Sequence, residues 1–434
     1  MLGRGEDPLY RERRSKPGSS AANFPYWRRR YPLLPAAAPP LWFDAGAFGE
    51  HTNKGMRSRF FIFATALIAL LHLYIGVRLL PSLPIGPAGR SIGAILLVTS
   101  SLLLPFGMLA RTIKDRVWAD RLAWSGYMAM SVFSSLLLLT LFRDIALGVA
   151  ALLAPAHLQA GMATDSAIAV LVLTAFATLI GLMNALRRAR VVDVDVPIAN
   201  LPVALQGFTI AQITDIHVGP TIKRNYLQAI VDAVNALKAD MIAVTGDLVD
   251  GSVRELSAHT QPLAELTARH GVYFVTGNHE YYSGERAWTA ELRRLGLKVL
   301  LNEHVVLHHN DARLVVAGVT DFSAQHFDPA HRSDPAKALA GAPADAQPRI
   351  LLAHQPRSAP AAADAGYQLQ ISGHTHGGQF WPWNFFVRLQ QPFTAGLDRL
   401  KDMWVYTSSG TGYWGPPNRF GIPSEITRLR LVRA

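Results

Sequence analysis

Apolar positions along this chain fall into two regimes. From Phe60 to Leu186 they form long, nearly unbroken runs, whereas beyond residue 190 they come in short runs separated by polar and glycine-rich breaks. A helix needs about 20 largely apolar residues to cross the hydrocarbon core of a bilayer. Phe60–Leu80, Ser91–Ala110, Leu122–Phe142 and Ser166–Leu186 reach that length and predict four spans. The apolar run Ile145–Ala154 is too short to span and is bounded by Asp144 and Pro155, so it either extends the third helix or lies in the interface. Upstream, residues 1–55 are rich in Pro, Ala, Gly and Arg without a sustained period, which predicts a disordered basic arm.

The short runs predict a layered α/β domain. Phe208–Thr214, Met241–Thr245, Gly271–Thr276, Arg349–Ala353 and Gln368–Ser372 read as buried strands, and Asn225–Lys238 carries helical periodicity through Leu227, Ile230, Val231, Val234 and Leu237. The chain is therefore expected to divide into the arm (1–55), a four-helix transmembrane domain (56–190) and a soluble domain (191–434).

Charge changes this picture only for topology. Of the formal +11, residues 1–59 and 60–190 contribute +6 each, and residues 191–434 contribute −1. The basic residues flank hydrophobic runs, as membrane orientation requires, and do not form the basic face of a nucleic-acid binder, so no nucleic acid is expected as partner. Lys54, Arg57 and Arg59 precede the first span, Arg111, Lys114, Arg116 and Arg121 lie between the second and third, and Arg187, Arg188 and Arg190 follow the fourth. That alternation puts both ends inside and leaves residues 191–434 cytoplasmic, on a multi-pass protein of the inner (cytoplasmic) membrane. Arg28-Arg29-Arg30 invites a twin-arginine export reading, but Pro32, Pro35, Pro39 and Pro40 break the apolar run that such a signal needs. The basic stub MRSRFF at Met56 stands directly before the first span, so translation is expected to begin there. His72, within that span, has no acidic partner at membrane depth and is expected to make a helix–helix hydrogen bond.

Candidate chemistry sits at strand ends. The first predicted strand runs into Asp215-Ile216-His217, and the next ends at Gly246-Asp247. The others end at Gly277-Asn278-His279-Glu280, at His354 and at Gly373-His374-Thr375-His376. In layered α/β folds the side chains at that edge leave the core and converge on a crevice. Asp-x-His puts two ligands on one side of an extended chain, and His374 and His376 repeat the spacing. Carboxylates and imidazoles without thiolate favour Mn, Fe or Zn over a structural zinc knot. The chain has no cysteine, which removes disulfides, thiolate zinc sites and cysteine nucleophiles.

The series DIH, GD, GNHE, the lone His of LLAHQP and GHTH, in this order and spacing, resembles the calcineurin-like metallophosphoesterases. The tail GHTHGGQ followed by YTSSGTGYWGPPNRFGIPSEITRLRL is similar to a bacterial membrane-associated subfamily. The resemblance covers about residues 200–434. It implies a four-layer αββα sandwich that hydrolyses a phosphomonoester, phosphodiester or pyrophosphate with two divalent cations. By the same resemblance Asp215, His217, Asp247 and His376 would hold the first cation. Asp247 would bridge to a second, completed by Asn278, His354 and His374, and His279 would contact the phosphate from the outer sphere. Glu280 stands where many members have Asp, at a position that is not a ligand. Two cations about 3.5–4 Å apart clamp an in-line displacement and lower the pKa of a bound water; an imidazole beside the phosphate can protonate the leaving oxygen.

Other polar residues carry weaker expectations. His304, His308, His309, His326 and His331 lack ligand-like spacing. Asp250 and Arg254 could reach a phosphate from the rim, but fit a solvated, helix-capping loop better, and Asp321 follows a strand in the same way. Phe380, Trp381, Trp383, Phe385, Phe386 and Phe393 crowd one segment after GHTHGGQ. They predict either a flap over the sheet or a lip dipping into the membrane beside the site, which would suit a lipid-linked substrate. The competing functional reading is a membrane sensor or scaffold whose domain binds without turnover. A transporter with an accessory enzyme fits less well, since the spans carry almost no charge.

Overall fold

A computed structural model describes residues 54–434 apart from 111, 112 and 154. The arm expected over residues 1–55, with its arginine triplet, lies outside the described residues except for its last two positions, which begin the first helix. Among the described residues, four helices are long and apolar enough to cross a membrane: α1 (Lys54–Leu79), α2 (Gly86–Leu109), α3 (Arg116–Leu153) and α4 (Ala156–Leu186). His72 of α1 meets Ser100 of α2 at 3.0 Å and stacks on Phe133 of α3, the interhelical contact expected of it.

The third helix is much longer than its apolar core suggested. It absorbs the Ile145–Leu153 run because the charges that looked like a boundary are satisfied inside the bundle. Asp144 takes Nε of Arg78 and the hydroxyl of Tyr74, each at 2.7 Å. Arg143, buried, reaches Ser82, Ser166 and the carbonyls of Arg78 and Ala163. These paired groups tie α3 to both neighbouring hairpin ends, and paired charges are the kind that helix interiors tolerate.

Strand β1 (Arg190–Ile198) starts just after α4 ends, so the last apolar helix runs almost directly into the first strand. Then come β2 (Thr209–Ile213), α5 (Arg224–Ala236), β3 (Met241–Val244), α6 (Val253–Thr260) and β4 (Val272–Phe274). After α7 (Asn278–Ser283) and α8 (Glu285–Arg294) the chain forms β5 (Lys298–Val299), β6 (Glu303–His309) and β7 (Ala312–Gly318). The remaining strands are β8 (Arg349–Leu352), β9 (Leu369–Ser372), β10 (Gly396–Leu400), β11 (Met403–Thr407) and β12 (Glu425–Arg433). They build two six-stranded sheets, in the orders β1-β12-β2-β3-β4-β5 and β10-β11-β9-β8-β7-β6. Within them β2 to β5 are parallel, as are β7, β8, β9 and β11.

Period-two alternation divides each strand between two cores. Ile210, Ala243 and Tyr273 of the first sheet meet Leu314, Val316, Ile350, Leu369 and Ile371 of the second between the sheets. Ala211, Ile213, Ile242 and Val244 face outward against Leu227, Ile230, Val231 and Val234 of α5 and Trp288 of α8. Leu351, Met403 and Val405 pack outward against Ala359 and Ala362 of a short helix. This is the expected four-layer αββα sandwich, preceded by four apolar helices. Gln212 crosses the middle, donating to Ser372 of the other sheet at 2.9 Å, and pins the sheets together just below the edge where both series of parallel strands end.

The sandwich rests directly on the helix bundle. Lys223 pairs with Asp120 at 2.8 Å, Arg116 pairs with Glu255, and Asn418 donates to Ser131 at 2.9 Å. Trp383 donates its indole N–H to Ser134 at 2.8 Å, and Trp381 lies 6.3 Å from the ring of Phe142. At 1.5 Å per residue α3 is about 57 Å long, well beyond the ~30 Å hydrocarbon thickness, and the contacts follow it from Arg116 to Phe142.

Candidate metal centre

The parallel strands of both sheets deliver the motif residues to one edge. β2 ends at Asp215 and His217, β3 at Asp247, β4 at Asn278, β8 at His354, and β9 at His374 and His376. The loops after β2 and β3 are joined by main-chain hydrogen bonds, from Asp215 N to Gly246 O, His217 N to Asp247 O and Val218 N to Leu248 O, at 2.8–3.1 Å. A side chain at Gly277 would overlap the carboxylate of Asp247, and one at Gly373 would overlap that of Asp215. These glycines thus permit the close approach of backbone to site.

The physical basis of the ligand spacing differs from the expectation. Asp215, His217, His374 and His376 do not alternate along an extended strand. All four, and Asp247, have φ between 50° and 70°, the left-handed region that non-glycine residues seldom enter. Each such residue costs on the order of 1 kcal/mol or more and persists where surroundings hold it, most often at functional sites. The left-handed steps turn successive polar side chains into the crevice.

Among the described residues three groups of potential ligands result: Asp215, His217 and His376; His217, Asp247 and His279; and Asp247, His354 and His374. His217 Nε2 lies 3.1 Å from His376 Nε2, and His376 Nε2 lies 3.5 Å from Asp215 Oδ1. On the other side Asp247 Oδ2 is 3.1 Å from His354 Nε2, which is 3.2 Å from His374 Nδ1. Asn278 stands at the same strand end, and its buried Oδ1 has no hydrogen-bond partner among the described residues. Imidazole nitrogens face one another in pairs, and a buried amide oxygen is left without a donor. The orphaned oxygen is costly alone and would be satisfied by a cation, and the converging imidazoles supply further donors to it. The donor set is oxygen and imidazole, which suits borderline divalent metals. The residues present therefore fit two divalent cations.

The electrostatics are dominated by burial and by the crowding of charges. Burial alone would raise the Asp247 carboxyl, but His354 and His279 beside it hold it well below the usual range. Burial raises Asp215 and pushes His374, next to His354, down to about 3, which keeps it neutral and able to ligate. His279 goes the other way: burial opposes protonation, yet Asp247 and Asp250 bring it up to about 9.

Two carboxylates mattered more than their sequence context suggested. Asp250 does not cap α6, which is capped by Ser252 and Glu255. Its Oδ1 instead lies 2.5 Å from His279 Nδ1 and 3.3 Å from His217 Nδ1, so it orients both imidazoles. The signal available was its position three residues after Asp247 in the same turn. Glu280, fully buried, accepts the amide N–H groups of Asp247, Leu248 and Gly277 at 2.7–3.0 Å and holds the Asp247 loop in place. Asp321 is buried under hydrogen bonds from Gln355 and Ser323, and Arg254 is exposed. Among the described residues, His304, His308, His309, His326 and His331 join none of the three groups. The aromatic segment divides between packed and exposed positions. Phe380 is buried and Trp383 packs on α3, while Trp381, Phe385, Phe386 and Leu389 remain exposed.

Residues 208–378 match the family model of the calcineurin-like phosphoesterases. The chain is 39% identical over 272 residues to a transmembrane protein with metallophosphoesterase domain of Danio rerio, covering 61% of this chain and 62% of that protein. It is 36% identical over 269 residues to an uncharacterized metallophosphoesterase of Campylobacter jejuni, covering 61% and 69%. To one from Aquifex aeolicus it is 32% identical over 224 residues, covering 51% and 84%. The matches thus span under two thirds of the Danio rerio relative and over two thirds of the two bacterial ones.

Proposed function

Because the chain belongs to the calcineurin-like phosphoesterases, we propose that it hydrolyses a phosphate ester, carried on a lipid or presented at the membrane surface, with two divalent cations. The observation that carries the hydrolytic reading is the set of three ligand groups at one sheet edge, the first joined to the second by His217 and the second to the third by Asp247. Asp215, His217, Asp247 and His376 would hold one cation, and Asn278, His354 and His374, with Asp247 bridging, the other. Such a pair, Mn, Fe or Zn on the donor chemistry, supplies positive charge for the phosphoryl oxygens and activates water. His279, its Nδ1 fixed by Asp250, presents Nε2 toward Asp247 (3.9 Å) and is poised to give a proton to the leaving oxygen. The rival sensor or scaffold reading calls for a decayed site, and the presence in the sequence of all seven ligand-type residues supports turnover instead.

The lipid assignment is supported by where the rim lies. Trp381 and Trp383 contact α3 between Ser134 and Phe142, inside an apolar span, with Phe385, Phe386 and Leu389 exposed next to them. Aromatic and leucine side chains so placed favour the lipid interface. Replacing Phe385, Phe386 and Leu389 together by Ser is expected to slow hydrolysis of a phospholipid-type ester in mixed micelles about tenfold or more, equivalent to roughly 1.4 kcal/mol of lost interfacial binding. Turnover of a small soluble ester should be retained. Equal losses on both substrates would make the segment structural and remove the support for a lipid substrate.

The sandwich is assigned to the cytoplasmic side from the Lys/Arg alternation around the four helices. A fluorescent protein fused at Ala434 should fluoresce in a bacterial host, and an export-dependent phosphatase fused at the same residue should stay silent. The reverse pattern would invert the topology.

A further inference from the structure

His376, the last candidate ligand in the chain, is gripped by a residue outside the ligand motifs, the arginine of the GPPNRFGIP tail. Arg419 is fully buried and has no carboxylate partner among the described residues. Its guanidinium donates to the carbonyls of Gly412, Ser409 (2.7 Å) and His376 itself (3.1 Å), and another of its nitrogens lies 3.0 Å from His376 Nδ1. Arg419 thus holds His376 by its main-chain carbonyl and stands against the Nδ1 edge of the ring, while Nε2 of the same ring faces His217 and Asp215.

The main chain of Arg419 is held by the membrane helices. Its N–H donates to the carbonyl of Gly181 in α4 at 2.9 Å, and its own carbonyl accepts Nδ2 of Asn184 at 3.3 Å. On one side Asn418, fully buried, donates to Ser131 of α3. On the other, the ring of Phe420 meets that of Phe176 of α4 edge-on at 6.3 Å. Gly181 is essential to this seat, since any side chain there would overlap the amide of Asn418. That amide cannot simply swing away: its oxygen accepts Phe420 N at 2.9 Å while its nitrogen is engaged with Ser131.

From this geometry we infer that α4 sets the position of His376 through Arg419, so that the helix bundle is a working part of the metal centre as well as its anchor. The inference rests on the metal-centre reading above and adds a positioning residue to it. A rigid helix carbonyl fixes the main chain of Arg419, and its guanidinium, anchored on the carbonyls of Gly412 and Ser409, transmits that position through the carbonyl of His376 to the residue that carries the imidazole. Removing groups that orient a metal-bound histidine typically costs about 10–100-fold in metal affinity.

The test uses the full chain in lipid nanodiscs, titrated with Mn²⁺ by calorimetry and followed by the electron paramagnetic resonance signal of bound Mn²⁺. Gly181→Val is expected to weaken one of two Mn²⁺ sites about 10–100-fold and to change the signal. Gly161→Val on the same helix, where an added Cβ meets nothing within 4 Å, should leave both unchanged. Arg419→Gln should reproduce the defect and Arg419→Lys should partly restore affinity. If Gly181→Val does not fold, Gly181→Ala carries the same expectation, since its Cβ alone displaces Asn418. Wild-type affinity and signal in folded Gly181 variants would overturn the inference alone. A wild-type chain that binds no Mn²⁺ would overturn the metal-centre reading and this inference with it.

Discussion

Replacing Asp247 by Asn is expected to empty the centre and to cut turnover by about four orders of magnitude or more, the scale seen when a group acting in concert with its neighbours is removed. Asp247 stands where the ligand groups meet: Oδ2 lies 3.1 Å from His354, 3.9 Å from His279 and 4.0 Å from His217. An amide keeps the shape but replaces one anionic oxygen by a donor NH₂, which cannot ligate and which points N–H groups at imidazoles that need an acceptor or a cation. The fold should survive the change, because the loop is held from elsewhere. Glu280 binds the amide of residue 247, and the main-chain bond from His217 N to residue 247 O is independent of the side chain. Elemental analysis of the purified variant should find both metals lost while its thermal unfolding remains cooperative. A variant retaining two metals per chain would remove Asp247 from the bridging role.

The parts of this site that could be read in the sequence are those written locally. Asp215, Asp247, Asn278, His354, His374 and His376 each follow a short apolar run, so the end of a strand and its candidate ligand lie within a few residues of one another. The buried strands themselves were legible for the same reason, as short apolar runs, whereas their division between two cores was not, since every position of β9 is buried. What the sequence concealed depends on distant partners. Asn418 meets Ser131 across 287 positions and Trp383 meets Ser134 across 249, so nothing local announces that the sandwich docks on α3. Arg143 and Asp144 looked like the end of a span because their partners Arg78, Ser82 and Ser166 lie on three other segments. Asp250 resembled a capping residue until the fold brought His217 and His279 to it. The Asp-x-His spacing was informative for a reason other than strand alternation: left-handed backbone at both ligand positions is what turns the pair inward.

His279→Ala should behave differently from any change at the ligands. It is expected to retain both metals and to slow hydrolysis of an alkyl phosphate ester about 10²–10⁴-fold, the usual contribution of a positioned acid–base group. The imidazole belongs to one of the three ligand groups without being required by either proposed cation set, its side chain is still 12% exposed, and two carboxylates, Asp247 and Asp250, favour its protonated form. Asp250 holds Nδ1, which leaves Nε2 as the nitrogen able to deliver a proton into the crevice. A proton matters most when the departing oxygen is strongly basic. The loss should therefore be large for an alkyl ester, such as a glycerophosphate, and small for a nitrophenyl ester, whose phenolate departs without help. Asp250→Asn should give the same pattern at smaller amplitude, because the amide can still accept from Nδ1 but no longer stabilises the charge on the ring. The decisive comparison is the ratio of kcat values for the two esters in wild type and in each variant, with metal content measured on the same samples. A His279→Ala protein that lost both esters equally, or that lost metal, would show that this residue holds a cation or the phosphate and does not supply the proton.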